Sequence, residues 1–473
     1  MERSARRALA LLASTQFLLI LDTAIINVAA PSIGQELGIS ALALSWVANA
    51  YLVTFGGLLL LSGRAADLFA RRGLFVLGLG ILVAASAAGA LANEAAWLIT
   101  ARAAQGVGAA VAAASAFAML LGLFPDGPDR HRALGVFAAM AGAGGAAGTV
   151  LGGVLTSWLS WRSTFGLNVV AGLLLALLAL RVLEPGRSRQ ERTGFDLGGA
   201  LSVTAGLGLL AYALVNTGVD GWTSPRTLVP GGLAIVLLAV FVVVERRVRT
   251  PLIPPAVVRR PVLLAANLLS ALGQVVLFPM FFLVSVYLQA VLGYPAVVGG
   301  LSLLPLCAVV IVVASNAGRL IGRFGLWPVM VSGYVLVAIG LAWLSRLSAD
   351  GSFVADVLFP SLVIGVGLPL VAITTNVAAT AEAGPDEIGL ASGLINTSQQ
   401  FGSVIGLAVL SGIAAARTLA DGGPDNPVAL TNGFGTAFLV SAGVALLSAL
   451  SVVALRSVAP QRTIEPTVAN HAR

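Results

Sequence analysis

The stretch FLLILDTAIINVAAP, residues 17–31, is apolar on both sides of a single carboxylate, Asp22. An ionisable side chain at bilayer depth costs at least ~2.5–3.5 kcal/mol on the mildest insertion scales, so it marks a functional group by default. That argument holds only if the run crosses a membrane. The apolar stretch extends from about residue 8 to Pro31, and roughly 20 such residues span the hydrocarbon as a helix. MERSARR in front of it resembles the start of a signal peptide. The run contains an acid, however, and lacks a small-x-small cleavage site, so the expectation is a first transmembrane helix.

The remainder of the chain has the same character. Its 473 residues are 58% hydrophobic and 10% charged, with a mean hydropathy of +0.97. Soluble globular chains carry about 25% charged residues. Apolar blocks recur near residues 8–31, 45–63, 73–92, 96–122, 133–157, 164–183, 197–216, 227–244, 262–288, 296–317, 326–346, 354–378, 388–415 and 431–455. These fourteen blocks predict an all-α polytopic membrane protein. The arginines test the count, because cytoplasmic segments collect basic residues. With the N-terminus inside, 22 of the 27 arginines fall in inside segments and Arg162, Arg226, Arg346 and Arg417 in outside loops, with Arg102 alone within a span. Removing one span midway reverses every later assignment and destroys the bias. Both termini are therefore expected in the cytoplasm.

Composition also excludes several classes. The net charge of +7 comes from arginines scattered among short loops, which does not describe a nucleic-acid surface. Cys307 is the single cysteine and lies in an apolar run, so no disulfide framework or cysteine metal site is expected. His131 and His471 sit in a loop and in the tail, which leaves no histidine metal cluster. No metal and no cofactor are expected. An intramembrane enzyme would need paired catalytic groups at depth, and a receptor a large soluble signalling portion.

Two features repeat. GRAADLFARRG (63–73) follows the second span and GRLIGRFG (318–325) the tenth. Gly135, Gly144 and Gly148 in the fifth span share their spacing, nine then four, with Gly393, Gly402 and Gly406 in the thirteenth. Both pairs lie eight spans apart. Six helices repeated once, with two extra helices between, produce that offset, and transporters are commonly built from such repeats. The expected division is residues 1–183, a first six-helix bundle; 184–260, two inserted helices with their linkers; 261–456, a second bundle; and 457–473, a tail.

Asp22 and Arg102 are the ionisable residues expected well inside spans. Counted at 1.5 Å per residue, they lie about 13 Å and about 9 Å from the same face, so a pair is geometrically possible. A buried ion pair that fixes helix packing is one reading of Asp22. The other is a proton site, because burial favours the neutral carboxyl while a neighbouring guanidinium favours the charged one. Thr15, Asp22 and Ala29 are spaced by sevens and share a helix face. The loop GRAADLFARR is either a basic topology anchor or a conformational latch through Asp67. Small residues every third or fourth position in GVFAAMAGAGGAAGTVLGGVL (135–155) suit close helix approach. A near GxGxxG within it follows no strand, which excludes a dinucleotide loop.

These residues together resemble the fourteen-helix drug:proton antiporters of the major facilitator superfamily, the EmrB/QacA type, over essentially the whole chain. LDTAIINVAAPSI (21–33) is similar to the first-helix motif and SWVANAYLVT (45–54) to the second, with Trp46 and Tyr51. The loop motif is met by Gly63, Arg64, Asp67, Arg71 and Arg72, and LITARAAQGVGAA (98–110) places Arg102, Gln105 and Gly106 on the fourth-helix motif. Gly135, Gly144, Gly148, Gly152 and Gly153 fit the antiporter motif of helix 5, and WRSTFGLN (161–168) and FDLGGA (195–200) also fit. Ala70 stands where the loop motif has glycine, Thr149 where helix 5 has proline, and Gly322 where the second loop copy would match Asp67. The resemblance implies a monomeric, multi-pass protein of a bacterial inner membrane that exports small amphipathic compounds against protons by alternating access. A dedicated metabolite exporter or a proton symporter is the other expectation. Asp22 would carry the proton and Arg102 tune it. Asn27, Gln105, Gln274, Tyr287, Asn396 and Gln400 are the expected cavity contacts. With one intramembrane acid, monovalent or neutral substrates are expected over divalent cations.

Overall fold

Lipid offers no hydrogen bonds, so a chain this apolar must satisfy its backbone internally. In the computed structural model, which describes residues 3–39, 41–124, 128–184, 196–248, 251, 260–380 and 388–456, it does so with helices. These are α1 (Arg3–Leu37), α2 (Ala41–Leu68), α3 (Arg71–Ala90), α4 (Ala95–Leu123), α5 (Pro128–Trp158), α6 (Arg162–Val182) and α7 (Leu197–Asp220). They continue as α8 (Pro225–Arg247), α9 (Pro261–Val286), α10 (Ala296–Ser302 and Leu304–Phe324), α11 (Leu326–Leu344), α12 (Phe359–Thr380), α13 (Ile388–Ala420) and α14 (Pro427–Arg456). A π-helical turn, Tyr287–Val291, closes α9, and another, Phe353–Leu358, opens α12. Pro31 lies inside α1 without ending it. Lacking an N–H, it leaves the Asn27 carbonyl without its helical donor.

Among the described residues, twelve helices are long and apolar enough to cross a membrane. The described apolar stretches of the other two helices, α2 and α7, are Leu44–Leu59 and Gly198–Leu214. The linkers near 185–195 and 252–259, with Arg187, Arg189, Arg192 and Arg259, lie outside the described residues, as does the tail with His471.

In the first half α1 packs on α5, and α4 packs on α2 and α3; in the second, α9 packs on α13, and α11 on α12 and α14. The pair α7–α8 stands aside, with α7 against α2 and α13. The halves meet along α2–α13 and α5–α10. The repeated glycines explain two crossings. A Cβ at Gly144 would lie 2.5 Å from the Phe17 carbonyl oxygen, and one at Gly148 would lie 2.8 Å from that of Leu21. At Gly402 and Gly406 the Cβ would meet the carbonyls of Ala271 and Val275 at 2.1 and 2.2 Å. Each crossing thus sets glycines four apart against carbonyls four apart. Gly135 and Gly393, the first of each trio, meet no described atom within 4 Å.

The buried core is divided unequally. Away from the 63–73 loop, one cluster joins both halves, with Ile26, Ile33 and Trp161 from the first and Leu283, Leu341 and Phe438 from the second. Toward the arginine-rich end the core separates. Leu12, Phe75 and Leu120 belong to one cluster, joined by Val404 and Ala408 of α13, and Leu263, Met330 and Val452 to another. The protein is closed at its arginine-poor end.

Candidate functional site

The single carboxylate of the opening stretch is 3% exposed, and its partner, Arg102, is 1% exposed. Asp22 is carried by α1, which Gly144, Gly148 and Gly152 allow to lie almost in backbone contact with α5. Arg102 comes from α4, where Gly106 abuts the Tyr51 carbonyl of α2, a Cβ there lying only 2.4 Å from it. The Arg102 Nη1 donates to Asp22 Oδ2 at 2.8 Å. The same nitrogen donates to Gln105 Oε1 at 3.0 Å, and Nε donates to the Val47 carbonyl at 3.0 Å. The guanidinium also lies 4.4 Å from the Tyr51 ring centroid, a cation–π contact. Gln105 Nε2 in turn donates to Ser86 Oγ at 2.7 Å, and Ser86 donates to the Leu82 carbonyl at 2.6 Å.

The second carboxylate oxygen, Oδ1, accepts a hydrogen bond from Asn168 Nδ2 of α6. Five helices therefore converge on one charge pair. Sequence reasoning placed Asp22 and Arg102 at similar depth. It missed Asn168 and Ser86, although WRSTFGLN ends on Asn168. Gln105, expected in a cavity, is instead fully buried in this network. The second half keeps the helix crossing without the charge: the residue after the Leu21 carbonyl is Asp22, and the one after the equivalent Val275 carbonyl is the buried Val276.

The other expected residues are dispersed. Tyr287 is buried at the closed end, donating to the Ser348 carbonyl at 2.7 Å. Asn27 is buried in α1 with Oδ1 unpartnered among the described residues. Gln400 lies on the α2–α13 seam, where a Cβ at Gly56 would come within 2.7 Å of its own Cβ. Gln274 is half-buried on α9 and Asn396 exposed on α13. Between these helices Gln399 Nε2 donates to Ser270 Oγ at 3.0 Å, and Ser398 Oγ donates to Asn267 Oδ1 at 2.9 Å.

In the 63–73 loop, Arg71 donates through Nε to the Ala66 carbonyl at 3.1 Å and through Nη1 to the Ala118 carbonyl at 3.0 Å. Arg72 reaches the Leu180 carbonyl. Both arginines thus meet the negative, C-terminal ends of α4 and α6, where cations are favoured. Gly63 faces open space and Arg64 is half-buried, while the Asp67 side chain lies outside the described residues. On α5, Gly153 and Thr149 meet α10: a Cβ at Gly153 would lie 2.7 Å from the Ala296 carbonyl, and one at Gly300 2.2 Å from that of Thr149. Nearby, the Val297 amide donates to Ser157 Oγ at 2.9 Å and Gln289 Nε2 to the Val28 carbonyl at 3.1 Å. These contacts join the halves at the closed end.

Two repeated helical halves, sharing a core at one end and separated at the other, with one half holding a buried ion pair, define a membrane transporter. A Major Facilitator Superfamily profile matches residues 12–407. The cephamycin export protein CmcT of Amycolatopsis lactamdurans is 38% identical over 460 residues, 97% of this chain and 93% of that protein. The puromycin resistance protein pur8 of Streptomyces alboniger is 36% identical over 452 residues, 93% and 89% of the two chains. Among solved structures, the peptide transporter POT in complex with sulfate aligns with a TM-score of 0.69 at 17% identity, covering 95% of this chain and 94% of that one. The nucleoside transporter NupG aligns with a TM-score of 0.68 at 12% identity, covering 95% and 99%. At such identities the likeness is one of fold alone. The chain belongs to the Major Facilitator Superfamily.

Proposed function

We propose that this transporter exports small amphipathic antibiotics in exchange for protons, with Asp22 as the proton carrier and Arg102 as the group that returns it to the charged form. The observation that carries the reading is the Asp22–Arg102 pair, which is nearly sealed from solvent and meets an acceptor or donor from α2, α4 and α6. A proton from the acidic side converts the carboxylate to a carboxylic acid and loosens its hold on Arg102; loss of that proton on the other side restores it. The named relatives, a cephamycin exporter and a puromycin resistance protein, support antibiotics as the cargo.

The remaining parts of the reading are orientation and organisation. The arginine-rich end with both termini faces the cytoplasm of a bacterial inner membrane, and the chain works as a monomer. All fourteen helices cross in the EmrB/QacA manner, because α2 and α7 have 28 and 24 residues. At 1.5 Å per residue both exceed the ~30 Å hydrocarbon core. The halves, 1–183 and 261–456, rock about the seam with 184–260 outside them. The glycines of α5 form a moving crossing, the 63–73 loop is a latch, and Asn27, Gln274, Tyr287, Asn396 and Gln400 contact substrate in some facing.

Inverted vesicles with an acidified lumen test the reading, using a panel of monovalent lipophilic cations and neutral antibiotics. Substrate-dependent proton loss in the wild type, absent in Asp22→Asn, is expected. Equal loss in both would reduce Asp22 to a packing ion pair. A second reading, a dedicated exporter of one compound, is favoured by relatives named for single antibiotics, such as the tetracenomycin C resistance and export protein of Streptomyces glaucescens. Response to one scaffold and to no other in the panel would select it.

A further inference from the structure

We propose that Asn168 is a positioning residue whose amide turns over with the protonation of Asp22, and that this carries the state of the carboxyl into α6. The inference rests on the reading of Asp22 as a proton carrier and adds where the proton sits and what responds to it.

The two carboxylate oxygens have unlike surroundings. Oδ2 faces the Arg102 guanidinium, which can only donate. Arg102 does not depend on Asp22 for its position, since Gln105, the Val47 carbonyl and the Tyr51 ring hold it as well. Oδ1 faces an amide, the uncharged side-chain group that offers a donor at one end and an acceptor at the other. In this structure Nδ2 is turned to the carboxylate, and the buried Asn168 Oδ1 has no hydrogen-bond partner among the described residues. Leaving a buried acceptor unsatisfied costs about 1–3 kcal/mol. A proton added to Asp22 Oδ1 reverses the requirement: the new O–H needs an acceptor, and half a turn of the amide supplies the idle one. No bond other than O–H forms or breaks, and the proton leaves as it came. Among the described residues, the ionisable side chains acting on this carboxyl are Arg102 of α4 and Tyr51 of α2. The α5 helix meets α1 there through glycines and α6 through Asn168 itself, while α9 and α10 reach α1 nearer the closed end.

Infrared difference spectroscopy between acid and alkaline pH, on the full chain in liposomes, tests this. A protonated-carboxyl C=O band should appear in the wild type and be lost in Asp22→Asn. If the band is missing, or survives in Asp22→Asn, the proton-carrier reading fails first. If the band belongs to Asp22, Asn168→Leu should move it to higher frequency, because its O–H loses its acceptor; an unmoved band overturns the role of Asn168 and leaves Asp22 as the carrier. A measurement without any change at position 168 guards against misfolding. With asparagine side chains labelled with carbon-13, the wild-type difference spectrum should hold an isotope-sensitive amide band that disappears in Asp22→Asn. Absence of that band overturns the proposal.

Discussion

Asp22 and Arg102 are each other's main compensation at a depth where neither finds water. Removing one member of a buried pair costs on the order of 3–5 kcal/mol, because the other charge remains buried alone. Arg102→Gln is accordingly expected to lower the thermal midpoint of the purified protein, and adding Asp22→Asn to recover most of the loss. A double variant no more stable than Arg102→Gln would show that the charges do not offset one another. Both residues were legible in the sequence, since a charge inside an apolar run is rare enough to stand out. Asn168 and Ser86 were not, because hydroxyls and amides occur throughout these helices and most of them bond their own helix, as Thr15 does to the Leu11 carbonyl.

Helix crossings make a different kind of demand, on space. Gly402→Val places a branched side chain where even a Cβ would come within 2.1 Å of the Ala271 carbonyl, so α9 and α13 must separate and the yield of folded protein should fall sharply. Gly393→Ala meets no described atom within 4 Å and should leave stability unchanged or raise it by up to ~1 kcal/mol. Thermal unfolding in detergent distinguishes the two. At the closed end, Ser157→Cys with Val297→Cys, in a Cys307→Ser background, should oxidise to a disulfide that stops transport until reduced. Transport undiminished by a formed bridge would mean that α5 and α10 never part there. The glycines four apart at the two equivalent crossings were legible in the sequence. The interruption of α10 at Leu303 was signalled by Pro305, which opens the resumed helix and lacks an N–H, whereas the two π-helical turns had no such signal.

For the molecule as a whole, sidedness is the first property to test. With the arginine-rich end inside, Phe69→Cys should react with a membrane-impermeant thiol reagent from the cytoplasmic face and Trp158→Cys from the other; both wild-type side chains are exposed. The reverse pattern would invert the topology. Helix order was legible in the apolar blocks, whereas the unequal division of the core was not, because lipid-facing and core-facing side chains are drawn from the same apolar set. That division has a thermal consequence. Turning the transporter round means parting an apolar core common to both halves, and wherever the parted faces meet water the heat capacity rises. The apolar attraction holding them also weakens on cooling. The preference for one facing should therefore relax in the cold, so that temperature itself redistributes the unloaded protein between its two orientations.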